Sequence, residues 1–482
     1  MNIDEKPKTE SHDPEYPEKL LEFMRTGWRD DPVPVPERPQ AGHHARRRAA
    51  LSAAFPGEII VVPTGHERVR ANDSNYLFRP GSDFAWLTGD YDPGSVLVLH
   101  PGGDAILYTR TRSSREHDEF FRSRDGELWL GRRQTLGEKA TELGIQTAPL
   151  ADLPAALADL PPGRTRVLRG FDRLVDAAVL PYDAEAAGTR DAELARVIAE
   201  LKLVKDEWEI AQLRGAIDVT VRGFEDVARI LPADRGVSER LIEGVFNLRA
   251  RHDGNGVGYS SIVGAGAHST ILHWVRNHGT TVPGELLLMD MGAEGPHLYT
   301  ADVTRTVPVS GTFTPLQRQV YDIVYESQQA GIDSIKPGVG FKGVHQACMR
   351  VLAEGLHALG VLPVSVDEAM DKESTLYRRW SLHGFGHMLG TDVHDCAKAR
   401  KEKYREGELG EGYVLTVEPG LYFQPEDDLV PAELRGIGIR IEDDVLVTAE
   451  GAVVLSAGLP RRAADVESWL AAQREAGPRL PA

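Results

Sequence analysis

Residues 286–309 have the sequence LLLMDMGAEGPHLYTADVTRTVPV, and this stretch decides the fold of the second half of the chain. An apolar run ends at Asp290, a Gly-containing turn follows, and Asp302 lies in a segment of alternating polar and apolar residues. Such alternation is typical of a β-strand with one polar face. The stretch predicts a β-hairpin that brings two carboxylates together, and adjacent anions need a shared proton or a cation. The alternative is an exposed hairpin with solvated carboxylates.

The composition describes an ordinary globular chain. Its 482 residues, 41% hydrophobic and 27% charged, allow two or three domains. A net charge of −18 argues against nucleic acid or an anionic membrane as the main partner. Two cysteines, Cys348 and Cys396, provide no disulfide framework. The sequence has no apolar run that could span a membrane and no apolar signal core near its start, so we expect a cytoplasmic location.

The order of the predicted elements divides the chain into five parts. Residues 1–41 are polar and dotted with proline, which predicts a loosely ordered arm. Strands alternate with helices over residues 42–190, with strands that include 58–63, 84–88, 95–100, 105–108 and 165–168, and this alternation predicts an α/β domain. A linker helix over 191–204, a domain of the α+β class over 205–460 and a tail over 461–482 follow.

A histidine-rich segment lies in the α+β part. Residues 381–395, SLHGFGHMLGTDVHD, place His383, His387 and His394 within twelve residues. The glycines between them allow close approach of other backbone segments. Neutral imidazole is a common metal ligand and also suits proton transfer near neutral pH. The segment therefore predicts a functional site rather than three unrelated structural histidines.

Two further stretches place charge beside apolar strands. In residues 413–422, YVLTVEPGLY, Glu418 ends an apolar strand, where a charge is costly unless it is paired. In residues 436–447, GIGIRIEDDVLV, isoleucines alternate with Arg440 and Glu442, which predicts the wall of a polar pocket. The alternatives are a strand end that opens to water and an ordinary ion pair across one face.

These stretches together supply four carboxylates and at least one histidine. Oxygen-rich sites with one or two imidazoles suit Mn²⁺, with Zn²⁺ or Co²⁺ as alternatives. Four carboxylates carry more negative charge than one divalent ion balances. The sequence therefore predicts two divalent metal ions in a shared site.

The motifs together resemble the Xaa-Pro aminopeptidases (aminopeptidase P) of the pita-bread metallopeptidase family. The matching pieces are IVGAGAHSTILHW at 262–274, ADVTRTVPVSGTF at 301–313, HGFGHMLGTDVHD at 383–395, LTVEPGLY at 415–422 and GIGIRIEDD at 436–444. SDFAWLTG at 82–89 and ELWLGRR at 127–133 extend the likeness into the first half. The resemblance implies a smaller α/β N-terminal domain followed by a pita-bread catalytic domain.

The resemblance also implies roles for the residues that match the motifs. The implied metal ligands are Asp290, Asp302, His387, Glu418 and Glu442, with Asp302 and Glu442 bridging the two ions. The residues implied to bind substrate, move protons or stabilise charge are His273, His383, His394, Glu418, Arg440 and Tyr422. Asp73 and Trp129 would reach the active site of a neighbouring subunit, which implies a homodimer or homotetramer.

The implied reaction is metal-assisted hydrolysis of the bond between an N-terminal residue and a penultimate proline in a peptide. A prolidase, which cleaves Xaa-Pro dipeptides, is the alternative within the fold, with Arg440 as a candidate for binding the substrate carboxylate. A non-catalytic pita-bread module that binds peptides is the alternative of another class. The complete set of ligand types favours an enzyme.

Overall fold

The computed structural model describes residues 16–29, 31–123, 125–179 and 184–481. The chain divides into two compact units, Met1–Ile198 and Ala199–Ala482, and each unit has its own hydrophobic core. In the described ranges, no helix is both long and apolar enough to cross a bilayer. Both cysteines are buried and unpaired, as the sequence predicts.

In the N-terminal unit, short helices surround one mixed sheet. Its helices are α1 (Glu18–Met24), α2 (Ala41–Ala54), α3 (Ser82–Thr88), α4 (Glu119–Arg122), α5 (Glu127–Leu130), α6 (Leu136–Leu143), α7 (Leu153–Ala158), α8 (Arg173–Ala178) and the start of α9 (Ala184–Leu201). Its strands are β1 (Ile59–Pro63), β2 (Val69–Ala71), β3 (Ser74–Asn75), β4 (Val96–Leu99), β5 (Ala105–Thr109), β6 (Gln146–Pro149) and β7 (Thr165–Val167). The sheet order is β6-β5-β4-β1-β7, with β1 antiparallel to β4 and parallel to β7.

One strand expected in this unit is a helix. The sequence predicts a strand over residues 84–88, and this prediction is wrong because these residues lie in α3. Phe84 and Leu87 are completely buried, and an apolar run this short fits a buried helix as well as a buried strand. Gly89 ends the helix in the left-handed conformation with φ 69°, a common helix terminus. The strands predicted around residues 58–63, 95–100, 105–108 and 165–168 are present as β1, β4, β5 and β7.

The described part of the predicted arm packs on the N-terminal unit. Leu21 of α1 is buried in a cluster with Phe120 and Phe121. The Arg25 guanidinium donates to Asp118 Oδ1 at 2.7 Å. Residues 16–29 are therefore held by a few long-range contacts, which polar composition does not reveal. Residues 1–15 of the predicted arm lie outside the described residues.

The C-terminal unit combines long helices with several small antiparallel sheets. Its helices are α10 (Glu207–Ile230), α11 (Glu239–Asp253), α12 (Pro315–Ser334), α13 (Phe341–Ala358), α14 (Val366–Met370) and α15 (Ala463–Ala476). Its strands are β8 (Gly256–Val257), β9 (Ile262–Ala265), β10 (Leu286–Met291), β11 (Ala293–Glu294), β12 (Val303–Pro308), β13 (Val414–Val417), β14 (Gly420–Tyr422), β15 (Gly438–Arg440), β16 (Asp443–Thr448) and β17 (Gly451–Val454).

The strands of this unit present their ends and polar faces to one region. β10 pairs with β12 on one side and β9 on the other, and both pairings are antiparallel. β13 pairs with β16, and β14 pairs with β15. Apolar residues of these strands and of α10 to α13 form the core. The predicted hairpin over residues 286–309 is confirmed, with β11 as an additional short strand in its connection.

Candidate metal centre

Two carboxylates meet at the hairpin of β10 and β12. Asp290 lies in β10 opposite Thr304, and Asp302 comes directly before β12. The Tyr259 hydroxyl lies 2.6 Å from Oδ1 of Asp290 and 2.6 Å from Oδ1 of Asp302. A phenol has one hydrogen to donate, so it bonds one of these oxygens at a time. Tyr259 therefore lies between the two carboxylates and can orient either of them.

Two glutamates reach the same region from the junctions between strands. Glu418 lies between β13 and β14, and Glu442 lies between β15 and β16. The Glu418 amide donates to the Phe385 carbonyl oxygen at 2.7 Å, and the Glu442 amide donates to the Thr304 carbonyl oxygen at 3.1 Å. The Thr304 hydroxyl also donates to Glu442 Oε2 at 2.7 Å. These bonds explain why residues far apart in sequence share one site.

His387 presents one ring nitrogen to the carboxylates. Its Nδ1 lies 3.2 Å from the Met388 carbonyl oxygen, which can only accept, so Nδ1 carries the hydrogen in the neutral ring. Its Nε2 lies 3.3 Å from Asp302 Oδ2 and 3.5 Å from Glu418 Oε1. Gly386 allows this approach, because a Cβ there would collide with the Thr416 carbonyl oxygen. The neutral form thus leaves Nε2 as a lone-pair donor, as metal binding requires.

Without a bound cation, burial and mutual repulsion disfavour the ionised forms of the carboxylates in this site. Asp302, His387 and Glu442 are buried, and one donor atom from each lies within 4.8 Å of the other two. Burial and neighbouring carboxylates raise the pKa of Asp302 to about 6 and that of Glu442 well above its usual value. Burial lowers the pKa of His387, but the hydrogen bond to Asp302 and the nearby carboxylates outweigh it and raise the pKa to about 9.

The residues therefore fit a bound divalent cation. Carboxylates that resist ionisation beside a lone-pair imidazole can all take their ligating forms only when a cation balances the charge. Oxygen and imidazole donors are the types that Mn²⁺ and Zn²⁺ accept.

A second network lies beside these carboxylates. Arg440 donates from Nη2 to Asp290 Oδ2 at 2.6 Å, from Nη1 to the Tyr422 hydroxyl at 2.9 Å, and from Nε to Thr304 Oγ1 at 3.1 Å. The Tyr422 hydroxyl also lies 2.7 Å from His383 Nε2. Burial, with the Arg440 charge, lowers the pKa of His383 to about 3, so its ring is neutral. The network fixes Asp290, Tyr422 and His383 in one arrangement.

The other predicted site residues are placed differently. His394 is exposed, and its ring lies edge-on to that of His387 with 4.4 Å between ring centroids. His273 is exposed on the loop after β9. Asp73 lies in the exposed turn between β2 and β3, and Trp129 of α5 is 56% exposed and donates to the Phe121 carbonyl oxygen at 2.7 Å. The subunit-crossing role of Asp73 and Trp129 stays a prediction.

Sequence reasoning misses three polar residues of this site. Tyr259 holds Asp290 and Asp302, and Thr304 joins Arg440 to Glu442. Asp444, completely buried, accepts from the Asp302 amide at 3.2 Å. Thr304 and Asp444 lie in motifs that the sequence singles out, and the polar face of β12 could have indicated Thr304. Tyr259 lies in the loop between β8 and β9, and no pattern in the sequence indicates its role.

Comparisons with known proteins cover nearly the whole chain. Residues 211–449 match metallopeptidase family M24, and residues 44–168 match the N-terminal domain of aminopeptidase P. Xaa-Pro aminopeptidase 1 of Streptomyces coelicolor is 50% identical over 466 residues, which are 95% of this chain and 93% of that protein. The chain belongs to the Xaa-Pro aminopeptidase family.

Other members of the Xaa-Pro aminopeptidase family agree with this assignment. The Xaa-Pro aminopeptidase of Escherichia coli is 34% identical over 450 residues, which are 89% of this chain and 97% of that protein. The structure of E. coli aminopeptidase P with the inhibitor Pro-Leu superposes with a TM-score of 0.80 at 31% identity, covering 92% of this chain and all of that one. The predicted fold, an α+β pita-bread domain after a smaller α/β domain, is confirmed. Family membership and the buried Asp302, His387 and Glu442 group support divalent metal binding.

Replacing Tyr259 by Phe is expected to weaken metal binding. The hydroxyl orients Asp290 and Asp302, and burial with the charges of both carboxylates raises its pKa far above the usual value, so it stays a donor. Losing such an orienting hydrogen bond typically costs about 10- to 100-fold in metal affinity. Calorimetric titration of Mn²⁺ into the metal-stripped protein measures this. The control is Tyr325→Phe in the hydrophobic core of the C-terminal unit; equal affinities for wild type and Tyr259→Phe would contradict the role.

Proposed function

We propose that the chain is a metal-dependent aminopeptidase that hydrolyses the bond between an N-terminal residue and a penultimate proline in peptides. The observation that carries this proposal is the buried group of Asp302, His387 and Glu442, in a chain of this family. Family membership alone also fits an inactive relative. All five implied ligand positions hold a residue type that can bind a metal, and this completeness supports an active enzyme.

The proposed metal site holds two divalent ions. Its ligands are Asp290, Asp302, His387, Glu418 and Glu442. Four carboxylates exceed the charge of one divalent ion, and their oxygen donors favour Mn²⁺, with Zn²⁺ or Co²⁺ as alternatives. When bound, the ions would polarise the substrate carbonyl and lower the pKa of a water molecule to about 7.

Glu418 is the ligand that we assign to proton transfer. Its side chain is 18% exposed, against 7% for Asp302, so it is the more open of the two to a substrate. Its Oε1 lies 3.5 Å from His387 Nε2 and its Oε2 lies 3.6 Å from His383 Nδ1. A carboxylate placed there can accept a proton from the attacking water and deliver it to the proline nitrogen as the C–N bond breaks.

Of the two imidazoles that could stabilise charge on the substrate carbonyl oxygen, the geometry favours His394. His383 is engaged at both ring nitrogens, by the Gly384 carbonyl oxygen at 2.8 Å and the Tyr422 hydroxyl at 2.7 Å. His394 is exposed and lies against the ring of His387. A donor aimed at a developing oxyanion stabilises the transition state more than the ground state. His383 would then hold Tyr422 in place.

The preference for proline follows from the substrate bond itself. An Xaa-Pro bond is a tertiary amide without an N–H, so a site that required that hydrogen would leave its acceptor unpaired. An apolar pocket can instead hold the proline ring. We keep Trp129 as the predicted wall of that pocket and His273 as a predicted substrate contact.

One argument for the prolidase alternative is that Arg440 could bind the carboxylate of the dipeptide, and this argument is weakened. A prolidase needs a cation for the carboxylate of the dipeptide, and Arg440 is the residue that the sequence offers. Arg440 is 3% exposed, and each of its three guanidinium nitrogens already donates to a neighbour. Its charge already pairs with Asp290. This engagement favours an aminopeptidase that accepts longer peptides.

The test compares two substrates on the metal-stripped protein with and without Mn²⁺. We expect Mn²⁺-dependent release of the first residue from an Xaa-Pro-Yaa tripeptide. Cleavage of an Xaa-Pro dipeptide alone would make the chain a prolidase. No cleavage of either substrate by protein with measured bound Mn²⁺ would overturn the proposal and favour the binding-module alternative.

Two expectations from the sequence stay predictions. The first is a homodimer or homotetramer, in which Asp73 and Trp129 would complete a neighbour's site. The second is a cytoplasmic location. Sedimentation of the purified protein tests the first, and cell fractionation tests the second.

A further inference from the structure

A buried carboxylate on α11 accepts four hydrogen bonds from one loop. Glu239 is completely buried, and its Oε1 lies 2.9 Å from the Ala265 amide nitrogen and 2.8 Å from His268 Nδ1. Its Oε2 accepts from Trp274 Nε1 at 2.8 Å and from the Gly279 amide at 2.7 Å. All four partners belong to residues 265–279, which we call the His273 loop.

The charge of Glu239 depends on these donors. Burial alone would raise the pKa of Glu239, but the four hydrogen bonds outweigh it and lower the pKa below its usual value. A buried ionised carboxylate is stable only when donors satisfy its oxygens. Each of these bonds also fixes one point of the His273 loop on α11.

Asn277 fixes the far part of the same loop to the sheet. Its side-chain oxygen accepts from the Val263 amide at 3.1 Å, and its side-chain nitrogen donates to the Ser261 carbonyl oxygen at 2.9 Å. Its φ of 48° is left-handed, a conformation that Asn adopts more readily than most residues. Val263 lies in β9, which pairs with the strand that carries Asp290. The loop is thus joined to the sheet of the candidate ligands.

Trp274 and His273 lie between the residues that Glu239 and Asn277 hold, and their side chains have different surroundings. Trp274 is 7% exposed and packs in an apolar cluster with Tyr422, whereas His273 is exposed. The Tyr422 hydroxyl lies 2.7 Å from His383 Nε2, so the packing of Trp274 with Tyr422 places this part of the loop beside the network next to the candidate ligands. Because Trp274 and His273 are adjacent in the chain, the position of the Trp274 indole determines where the His273 imidazole lies.

We propose that Glu239 is a positioning residue, which acts on the reaction by holding the His273 loop, and through it His273, against the candidate metal centre. This inference rests on the proposed function, in which His273 contacts the substrate. None of the four residues that donate to the Glu239 carboxylate is a candidate metal ligand.

Glu239→Gln removes the charge with little change of volume. Of the four donors, His268 alone can become an acceptor by changing tautomer, because an amide or an indole N–H cannot. The glutamine nitrogen must therefore face at least one buried N–H. We expect kcat/KM on an Xaa-Pro-Yaa peptide to fall about 10-fold, with unchanged Mn²⁺ content. Hydrogen exchange of the Ala265 and Gly279 amides should become faster.

The decisive experiment is a double-mutant cycle with His273→Ala. If Glu239 acts through His273, adding Glu239→Gln to the His273→Ala variant should lower kcat/KM by less than about 2-fold. The matched control is Glu243→Gln, one turn along the same helix, which should leave activity and exchange unchanged. Trp274→Phe is a milder second variant that removes one of the four donors; it should lower kcat/KM about 3-fold, and only when His273 is present.

Each outcome has a distinct meaning. An equal loss in both backgrounds would overturn the positioning role, since Glu239 would then act without His273. Unchanged hydrogen exchange in Glu239→Gln would contradict the anchoring itself. A wild-type protein that binds Mn²⁺ but cleaves no peptide would instead overturn the proposed function, and the exchange measurement would still test the anchoring.

Discussion

Glu442→Gln is expected to lower kcat/KM by at least about 10³-fold, which corresponds to about 4 kcal/mol of transition-state stabilisation. Glu442 belongs to the buried group with Asp302 and His387, and its Oε2 accepts from Thr304. An amide keeps the shape and one acceptor but cannot supply the negative charge that a shared metal site needs. The measurement is Mn²⁺ content together with steady-state hydrolysis of an Xaa-Pro-Yaa peptide.

The same variant should leave the metal-free fold intact. Burial and the neighbouring carboxylates raise the pKa of Glu442 well above its usual value, which disfavours its ionised form in the metal-free protein, and glutamine has nearly the same shape as glutamate. In wild type, Mn²⁺ should raise the melting temperature by mass action, and this increase should largely disappear in the variant. Exposed Glu433→Gln is the matched control. Full activity of Glu442→Gln with normal Mn²⁺ content would remove Glu442 from the ligand set.

Asp443→Ala is expected to destabilise the C-terminal unit by about 3–5 kcal/mol, because it leaves a buried charge uncompensated. The Arg305 side chain is 2% exposed and donates from Nη2 to Asp443 Oδ1 at 2.7 Å. Gln328 and Ser456 also donate to Asp443, at 2.9 and 2.6 Å. Without the carboxylate, Arg305 would retain only carbonyl oxygens as acceptors. Urea denaturation followed by circular dichroism measures the change.

A control and a compensating variant separate this effect from a general one. Asp322 forms a largely exposed ion pair with Arg318 at 3.9 Å, and Asp322→Ala should cost less than about 0.5 kcal/mol. Replacing Arg305 by Met together with Asp443 by Leu should recover part of the loss, since apolar residues of similar volume often replace buried ion pairs. A loss below about 1 kcal/mol in Asp443→Ala would show that the carbonyl oxygens alone stabilise Arg305.

The elements around the site were the most predictable part of this chain. Alternation in residues 301–307, interrupted at Arg305, predicts a strand, and the antiparallel register of β10 with β12 places Asp290 opposite Thr304. The apolar strand before Glu418 and the isoleucines around Arg440 likewise correspond to β13 and β15. Periodicity works here because one face of each strand packs in the core while the other presents polar groups.

The secondary structure of short apolar segments, and the single residues that hold the arm, were less predictable. Residues 84–88 form a helix because their packing partners, not their own pattern, select it. The described part of the arm is held through Leu21 and Arg25 by contacts with residues about a hundred positions away. No local pattern contains such information.

The sequence by itself supplied the candidate ligands, through strand patterns that end in carboxylates and through motifs that resemble those of the Xaa-Pro aminopeptidases. Only the tertiary structure decided what orients them. Tyr259 holds Asp290 and Asp302, Arg440 is fully engaged, and Glu239 anchors a loop that begins 26 residues later. The reason is that hydrogen bonds between distant segments have no period in the sequence and exist only once the strands and helices have packed.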